Sequence, residues 1–382
     1  MRVIMTGGGT GGHIYPAIAI ADKIKQENPE ADIIFVGTQR GLEADIVPKQ
    51  GYSIRFITVS GFNRKKMLKN FRVAADLLMG FAQARKIIRE FKPDMVIGTG
   101  GYVSGPVVRM AHQMGVRTYI HEQNAFPGVT NKLVSKSVER VFLGFEEASR
   151  HFKHKEKLVL TGNPVRKEFE GLNRTDCRRQ LGIPENSFMI LAFGGSGGAG
   201  RLNSEILNVA KNFSDVPEVS IFFATGKVYY KQILEKIKAE GLSPSPRLGI
   251  LSYIEKMHLY MGAADLVISR AGALTVAEIT LCGKASILIP SPNVTGNHQY
   301  FNAKAVADRG GAVLIEEKDL DEKKVVEVVR SLMGDKDCLT RMETASLGCA
   351  HRQASEKIVE AITNDFEGFS WGKNDIGHNK PG

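Results

Sequence analysis

The sequence predicts an α/β protein of two Rossmann-like domains whose parallel sheets face each other across a cleft. Short β-branched strands alternate with helical stretches along the 382 residues, which is typical of parallel sheets. Each half opens with a buried strand that runs directly into a glycine-rich loop and a helix. The length also suits two domains, each with its own core. A ligand is then expected between the carboxyl ends of the two sets of strands.

Seven strands are predicted in the first half and five in the second. In the first half they lie near Val3–Met5, Asp32–Val36, Ile54–Thr58, Met95–Ile97, Thr118–Ile120, Val141–Leu143 and Leu158–Leu160. In the second half they lie near Met189–Phe193, Ser220–Ala224, Leu266–Ile268, Ser286–Ile289 and Ala312–Leu314. Between the two sets, the glycine and proline of Gly162-Asn163-Pro164 indicate a linker.

Composition excludes several classes of protein. Hydrophobic residues make up 43% and charged residues 24%, a balance that excludes disorder as the main state. The cysteines, Cys177, Cys282, Cys338 and Cys349, show no CxxC spacing, which indicates scattered thiols of a reducing compartment. The amino-terminal segment has no signal-peptide core, and no apolar run approaches the roughly 18 residues of a membrane span. We therefore expect a cytoplasmic protein that does not cross a membrane.

The net charge of +10 is confined to the first half of the chain. Residues 1–165 hold 24 Lys and Arg against 14 Asp and Glu, whereas residues 166–382 hold 27 of each. The first half is therefore expected to face something anionic. Nucleic acid is disfavoured as that partner because aromatic stacking residues and known binding motifs are missing.

Both glycine-rich loops match the pattern GxGxxG, over Gly7–Gly12 and Gly195–Gly200. Such glycines let the backbone approach a phosphate, and the helix that follows supplies free N–H groups. A dinucleotide site would add an acidic residue at the end of the second strand, but 37–38 are Gly-Thr and 225–226 are Thr-Gly. NAD is therefore disfavoured. A tight strand-to-helix turn without a ligand stays open as the interpretation of either loop.

Three further polar segments follow predicted strands. Within Ser269–Glu278, spacing places Leu274 and Glu278 on one helix face, where the carboxylate could accept both ribose hydroxyls of a nucleotide or merely suit a helix start. The loop from Pro290 to Gln299, with Asn302 and Ala303 one turn later, offers amides suited to sugar hydroxyls. The polar run His121–Asn124 directly follows a strand, where an α/β active site is expected.

The combination of these motifs resembles the MurG family of peptidoglycan N-acetylglucosaminyltransferases. The matching strings are Gly8–Pro16, Gly98–Pro106, His121–Asn124, Gly162–Arg166, Ser269–Glu278 and Asn297–Ala303. They lie in order over roughly residues 1–360, and the combination is far more specific than a lone GxGxxG. The resemblance implies a GT-B glycosyltransferase fold. It also implies inverting transfer of N-acetylglucosamine (GlcNAc) from UDP-GlcNAc to the muramyl 4-hydroxyl of lipid I, which forms lipid II, without a metal or other cofactor.

The resemblance also implies a donor site. UDP-GlcNAc would bind Thr10, Gly11, Gly12, Asn124, Arg166, Ser196, Ile254, Ala273, Leu274, Thr275, Val276, Ala277, Glu278 and Gln299. Glu278 would hold the ribose and Ile254 the uracil, while the amides would hold the sugar and Ser196 the diphosphate. The family usually has a larger polar or basic residue where this chain has Gly197. Backbone N–H groups and Arg166 would therefore carry more of the stabilisation of the leaving phosphate.

His13 and Glu122 are the two candidates for the general base. Inversion needs one in-line displacement in which a base removes the acceptor proton while UDP leaves. His13 ends the first glycine loop, and imidazole titrates close to neutral pH. The alternative for His13 is a helix-start residue that only hydrogen-bonds a phosphate or the acceptor. The segments 319–321 and 335–337 resemble a metal-binding DxD, but their charged surroundings indicate a solvated surface, so no metal is expected.

Residues 64–92 are expected to contact a membrane surface. They hold nine basic residues against two acidic ones. A stripe at helical spacing is expected to face the core: Val73, Leu77, Phe81, Ala84, Ile88 and Phe91. The residues expected to contact anionic lipid are Lys65, Lys66, Leu68, Lys69, Phe71, Arg72, Leu78 and Met79. An ordinary core helix with a solvated charged face is the alternative.

Lipid I is anchored by an undecaprenyl chain, so the resemblance implies a peripheral protein on the anionic inner face of the cytoplasmic membrane. It also implies contacts with the cell-wall and division machinery. We expect an acceptor-binding domain over 1–163, a donor-binding domain over 164–350, a helix over 351–363 that packs back on the first domain, and a loose tail over 364–382. Three other functions stay open: a GT-B enzyme acting on another glycolipid acceptor such as diacylglycerol, a UDP-GlcNAc 2-epimerase, and a nucleotide-sugar-binding protein without catalysis.

Overall fold

A computed structural model of the chain describes residues 1–60, 70–195 and 197–366. The strands are β1 (Arg2–Gly7), β2 (Asp32–Gly37), β3 (Ser53–Phe56), β4 (Met95–Gly100), β5 (Arg117–Glu122), β6 (Arg140–Leu143), β7 (Leu158–Leu160), β8 (Phe188–Phe193), β9 (Val219–Ala224), β10 (Leu248–Leu251), β11 (Leu266–Ser269), β12 (Ala285–Leu288) and β13 (Ala312–Leu314). The α-helices are α1 (Gly11–Glu27), α2 (Glu43–Lys49), α3 (Asn70–Phe91), α4 (Ser104–Gln113), α5 (Val129–Val134), α6 (Arg174–Leu181), α7 (Gly200–Phe213), α8 (Tyr230–Ala239), α9 (Met257–Ala263), α10 (Ala273–Leu281), α11 (His298–Ala307), α12 (Lys324–Gly334), α13 (Lys336–Gly348) and α14 (Ala354–Asp365).

The strands form two parallel sheets, and this confirms the predicted fold class. The first sheet has the order β3-β2-β1-β4-β5-β6-β7, and the second has the order β10-β9-β8-β11-β12-β13. Every pairing between neighbouring strands of these sheets is parallel. The strand order reverses beside β1 in one sheet and beside β8 in the other. Ligands of doubly wound sheets bind at such switch points, and each glycine-rich loop follows one of these two strands.

The strand β10 was missed by the sequence prediction, whereas the other twelve strands lie where the sequence predicted them, with end differences of a few residues. Gly249 interrupts the apolar pattern of β10, which is the edge strand of the second sheet. A Cβ at this position would lie 2.5 Å from a ring atom of Phe222 on the neighbouring β9. The glycine is therefore required by the aromatic ring of the next strand, and a pattern search treats the same glycine as a strand breaker.

The last described helix, α14, covers one face of the first sheet. Its Ile358, Val359 and Ile362 are fully buried in one cluster with Val3 and Met5 of β1. The helix end is fixed by Asp365, whose carboxylate accepts hydrogen bonds from Arg140 Nε at 2.8 and 3.0 Å. The chain therefore returns to its first domain after completing the second sheet. The exact domain boundaries stay a prediction.

The chain crosses between the two sheets at two places that lie against each other. Gly162, in the linker after β7, has a φ of +84°, and a Cβ there would lie 2.1 Å from Cβ of His351, which precedes α14. Only glycine fits this crossing. Elsewhere along the cleft, Phe126 stacks on Phe301 at 5.0 Å between ring centroids, and Asn302 Oδ1 accepts a hydrogen bond from the backbone N–H of Ala125 at 2.8 Å. These contacts hold the two domains together beside the predicted ligand site.

Candidate active site

The first glycine loop is held in place by a buried carboxylate. Glu43 of α2 accepts hydrogen bonds from the N–H of Gly9 at 2.9 Å, the N–H of Thr38 at 3.0 Å and Oγ1 of Thr38 at 2.8 Å. A Cβ at Gly8 would lie 2.5 Å from Oε1 of Glu43, so the loop needs glycine to approach the carboxylate. Sequence reasoning missed this residue because it looked for an acid at the end of β2 rather than at the start of the next helix.

Replacing Glu43 by alanine is expected to lower the free energy of unfolding by about 3 kcal/mol, because the buried N–H of Thr38 and the partly buried N–H of Gly9 lose their acceptor. Urea unfolding followed by circular dichroism measures this loss. The matched control is Glu30→Ala, which removes an exposed carboxylate near the start of β2. Equal unfolding midpoints for the two variants would contradict the role given to Glu43.

His13 lies in the first turn of α1, and hydrogen bonds fix the protonation of one of its ring nitrogens. Its Nδ1 lies 3.0 Å from the carbonyl oxygen of Thr99 and 3.1 Å from Oε1 of Gln123, and Thr99 Oγ1 donates to the carbonyl oxygen of His13 at 2.7 Å. A carbonyl oxygen only accepts, so Nδ1 carries the proton. In the neutral ring Nε2 then keeps a free lone pair. This is the form in which a histidine acts as a general base.

Glu122, the other candidate base, is buried and saturated with hydrogen bonds. Its Oε1 accepts from the N–H and the side-chain amide of Asn124 at 3.0 and 3.2 Å. Its Oε2 accepts from the N–H of Gly128 at 3.0 Å and from Asn131 Nδ2 at 2.9 Å. Four donors occupy both oxygens, so these contacts disfavour Glu122 as the base. They give it instead the role of shaping the loop after β5.

Three of the predicted donor-site residues line one cavity in the second domain. Arg166, Ile254 and Glu278 surround a space of about 150 Å³ beside the ends of β8 and β9. Arg166 Nη2 lies 3.8 Å from Oε1 of Glu278. Burial raises the pKa of Glu278 to about 7, and the nearby Arg166 opposes that rise. The cavity thus holds a carboxylate that needs hydrogen-bond donors or positive charge to be stable in its ionised form.

The second glycine loop packs against the end of β9. Gly198 has a φ of +73°, and a Cβ there would lie 2.1 Å from the carbonyl oxygen of Thr225, so this position requires glycine. Gly197 differs, since a Cβ there would lie more than 4 Å from every described residue other than its chain neighbours. The missing side chain at Gly197 is therefore not imposed by packing. The predicted Ser196 lies outside the described residues.

The remaining predicted donor residues lie at the cleft in several environments. Thr10 is the N-cap position of α1, with Gly11 and Gly12 beginning the helix. Gln299 Oε1 accepts from the N–H of Ser291 at 2.8 Å, and Asn124 Oδ1 accepts from Asn302 Nδ2 at 3.2 Å. The residues Ala273, Leu274, Thr275, Val276 and Ala277 form the first turns of α10. These five residues precede Glu278 on the same helix, and the two amides hydrogen-bond to neighbouring segments of the chain.

Arg270 is a further site residue to which the sequence analysis gave no role. Its Nη1 donates to the carbonyl oxygens of Ile289 and Pro290, each at 3.1 Å, and it pairs with Glu317. The guanidinium therefore fixes the start of the polar loop that leads to Gln299. In the sequence, the only indication of this role was that Arg270 lies within the motif Ser269–Glu278.

The two DxD-like segments precede helices, and in each an aspartate accepts hydrogen bonds from nearby backbone N–H groups. Asp321 accepts hydrogen bonds from the N–H groups of Lys323 and Lys324 at 2.9 and 2.8 Å, and Asp335 accepts one from the N–H of Cys338 at 2.8 Å. Within the residues that the structure describes, no group of three or more His, Cys, Asp or Glu side chains could hold a metal ion. The role of these carboxylates is consistent with ordinary helix starts.

Two Rossmann-like domains, with a histidine at the first switch point and an acid-lined cavity at the second, match the architecture of the GT-B class of glycosyltransferases. The model of the glycosyltransferase family 28 N-terminal domain matches residues 3–143, and the model of its C-terminal domain matches residues 189–361. The chain belongs to glycosyltransferase family 28, and within it to the family of the curated relatives described next.

Those relatives share one name, UDP-N-acetylglucosamine–N-acetylmuramyl-(pentapeptide) pyrophosphoryl-undecaprenol N-acetylglucosamine transferase. The protein of that name from Alkaliphilus oremlandii (strain OhILAs) is 45% identical over 95% of this chain and 98% of its own length. The protein from Acetivibrio thermocellus is 46% identical over 95% of this chain and 97% of its own length. At this level of identity over nearly the whole chain, the recognition made from the motifs is confirmed.

Solved structures agree on the fold. The crystal structure of Acinetobacter baumannii MurG superposes with a TM-score of 0.77 at 29% identity, covering 95% of this chain and 99% of that one. UDP-GlcNAc 2-epimerase from Neisseria meningitidis bound to UDP-GlcNAc superposes with a TM-score of 0.67 at 15% identity, covering 95% of this chain and 100% of that one. The second likeness concerns the fold alone. The predicted GT-B fold is thus confirmed.

Proposed function

We propose that this protein transfers GlcNAc from UDP-GlcNAc to the 4-hydroxyl of the muramyl sugar in lipid I, with inversion, and so forms lipid II. The shared name of relatives above 40% identity supports this reaction. The observation that carries it is the combination of His13, whose Nδ1 carries the proton and leaves Nε2 as the basic nitrogen, with a donor cavity lined by Arg166 and Glu278. Transfer of labelled GlcNAc onto a short-chain lipid I analogue tests the proposal.

The donor would be held by the second domain. The carboxylate of Glu278 would accept hydrogen bonds from both ribose hydroxyls, which would stabilise the ionised form at this partly buried position. The backbone of Ile254 would bind the uracil at the far end of the same cavity. The diphosphate would lie against the loop 194–199 and the start of α7, where free N–H groups and the helix dipole favour an anion.

The reaction would be a single displacement. Nε2 of His13 removes the proton of the muramyl 4-hydroxyl as its oxygen attacks C1 of GlcNAc from the face opposite UDP. The C1–O bond to UDP breaks, and its electron pair leaves with the diphosphate. Backbone N–H groups and the guanidinium of Arg166 stabilise that charge, because Gly197 offers no side chain. The acceptor sugar would bind between the two glycine loops.

The structure describes part of the predicted membrane contact. Leu78 and Met79 of α3 are 71% and 53% exposed, and the basic side chains of Arg85, Lys86 and Arg89 on the same helix are exposed as well. Lys65, Lys66, Leu68 and Lys69, with the side chains of Phe71 and Arg72, lie outside the described residues. Exposed apolar side chains beside clustered cations suit a contact with anionic lipid.

One part of the sequence prediction for α3 was wrong. Leu77, expected to face the core, is 41% exposed, whereas Ile87, which was not placed on the core stripe, is buried. Among residues 73–91, the fully buried apolar side chains lie in the second half of the helix. The helix crosses the segment after β3 at Gly80, where a Cβ would lie 2.6 Å from a methyl carbon of Val59. The exposed apolar set on α3 is therefore larger by one residue, which supports the peripheral contact.

Replacing both Leu78 and Met79 by serine is expected to weaken binding to phosphatidylglycerol vesicles by roughly tenfold, because less apolar surface would be buried in the lipid. Cosedimentation measures this. The control is Val228→Ser in the second domain, where an 82% exposed valine lies away from the basic half. Wild-type vesicle binding by the double variant would contradict the proposal.

No helix among the described residues is long and apolar enough to cross a membrane. We propose a peripheral position on the anionic inner face of the cytoplasmic membrane, where lipid I would be reached. Contacts with the cell-wall and division machinery stay a prediction. Should the chain bind UDP-GlcNAc without using the lipid I analogue, diacylglycerol and the epimerase reaction are the acceptor and the activity to assay next.

A further inference from the structure

A row of hydrogen bonds connects His13 to the linker between the domains. His13 Nδ1 lies 3.1 Å from Oε1 of Gln123, and Gln123 Nε2 lies 2.9 Å from Nδ1 of His121. His121 Nε2 lies 3.1 Å from the carbonyl oxygen of Gly162. Both Gln123 and His121 are buried. The row therefore runs through the interior of the first domain without competing water.

The donors and acceptors of this row allow only one arrangement of its protons. The carbonyl oxygen of Gly162 can only accept, so Nε2 of His121 carries the proton and its Nδ1 is an acceptor. The amide nitrogen of Gln123 then donates to that Nδ1, which turns the amide oxygen of Gln123 toward His13. That oxygen accepts from Nδ1 of His13, as the carbonyl oxygen of Thr99 also does.

The two histidines of the row are thus held in opposite tautomers. The row requires a neutral His121. Burial, with a smaller contribution from His13, lowers the pKa of His121 to about 4 against the opposing effect of the hydrogen bond to Gly162. Gln123 is suited to join them because one amide offers both an acceptor and a donor. A carboxylate at this position would have only acceptors, and an apolar side chain would have neither.

We propose that Gln123 is a positioning residue that fixes the tautomer and the ring plane of His13, and that His121 and the linker carbonyl of Gly162 fix the amide of Gln123 in turn. The proposal rests on the proposed function, since it takes His13 as the base. The row ends at the point where the chain crosses between the domains, because Gly162 packs against His351 there.

Nitrogen-15 NMR of the full chain with labelled histidine tests the row directly. The signals of His13 and His121 are assigned from variants that lack each ring. At a pH where both rings are neutral, we expect the proton of His13 on Nδ1 and that of His121 on Nε2. The Nε2–H tautomer at His13, or the Nδ1–H tautomer at His121, would overturn the proposal whatever the enzyme does.

Kinetics of Gln123→Met supplies the second readout. We expect kcat for lipid II formation to fall roughly tenfold to a hundredfold. The KM for UDP-GlcNAc is expected to change much less, because the cavity lined by Arg166, Ile254 and Glu278 lies in the other domain. The matched control is Gln113→Met, at an exposed position at the end of α4. A wild-type kcat in Gln123→Met would overturn the positioning role.

These two readouts separate the proposal from the function on which it rests. Opposite tautomers in a protein that forms no lipid II would support the row and refute the transferase reaction. An active enzyme whose His13 carries the other tautomer would do the reverse. The wild-type spectrum needs no substitution of Gln123, so the test holds even if Gln123→Met folds poorly.

Discussion

His13→Ala is expected to lower kcat for lipid II formation by about 10²–10⁴-fold, the range that a general base contributes. The acceptor hydroxyl would then have to lose its proton to water, while the donor cavity in the other domain stays intact. The KM for UDP-GlcNAc is expected to change little. The thermal unfolding temperature is expected to fall modestly, because the hydrogen bonds of Nδ1 to Thr99 and Gln123 are lost with the ring.

Transfer of labelled GlcNAc to a lipid I analogue measures this loss, and UDP-GlcNAc binding by calorimetry shows whether the donor site survives. His112→Ala is the matched control because His112 is exposed near the end of α4. If His13→Ala keeps more than a tenth of the wild-type kcat, His13 only orients a phosphate or the acceptor. That was the alternative left open by the sequence.

Glu278→Ala is expected to weaken UDP-GlcNAc binding by about a hundredfold. Two hydrogen bonds from ribose hydroxyls to a carboxylate would be lost, and hydrogen bonds to charged groups contribute about 1.5–3 kcal/mol each. Part of that lost binding free energy is recovered, because the substitution also removes a carboxylate that is costly to bury. Calorimetric titration with UDP-GlcNAc measures the change, with Glu235→Ala, an exposed glutamate of α8, as the control. Wild-type affinity in Glu278→Ala would move the ribose site elsewhere.

The same carboxylate predicts a pH dependence. Burial raises the pKa of Glu278 from 4.5 to about 7 in the free protein, so the folded state holds this proton more tightly than the unfolded state. Its contribution to stability is therefore largest below the unfolded pKa, and it is lost as pH rises through about 7. Bound ribose would favour the ionised form. Donor affinity is accordingly expected to increase between pH 6 and pH 8.

Glu278→Gln separates these two effects. At pH 8 the free variant is expected to unfold at a higher temperature than the wild type, because a buried negative charge has been removed. Its donor affinity is expected to be lower and to vary less with pH. Thermal unfolding and calorimetry at pH 6 and pH 8 check both statements. A variant that is less stable than wild type at pH 8 would mean that Arg166 already compensates the carboxylate.

The parts of the fold that follow from local pattern were predictable from the sequence. Parallel strands buried on both faces are continuous apolar runs, so β1 and β8 and the glycine loops behind them stand out without any structure. The strand β10 does not, because Gly249 makes room for Phe222 of another strand. The exposure of Leu77 was equally hidden, since a helical stripe marks a face of α3 but not the point along the helix where the core begins.

The candidate site likewise contains residues that the sequence could reveal and residues that only the structure could. Glu278 and His13 follow glycine motifs whose spacing carries their chemistry. Glu43, Gln123 and Arg270 act on groups that are distant in the chain, and their roles depend on hydrogen bonds that form only after folding. The choice between His13 and Glu122 needed the structure too, because a free Nε2 and a saturated carboxylate cannot be distinguished in a string of letters.

The position of α14 has a consequence for how the protein is made. Val3 and Met5 are translated long before α14, yet the face they form is covered by Ile358, Val359 and Ile362 of that helix. During synthesis this apolar face of the first sheet remains exposed to solvent while the whole second domain is translated. The nascent chain would need a chaperone, or a temporary partner for that face, until the helix arrives. The first domain to be translated is therefore the last to be finished.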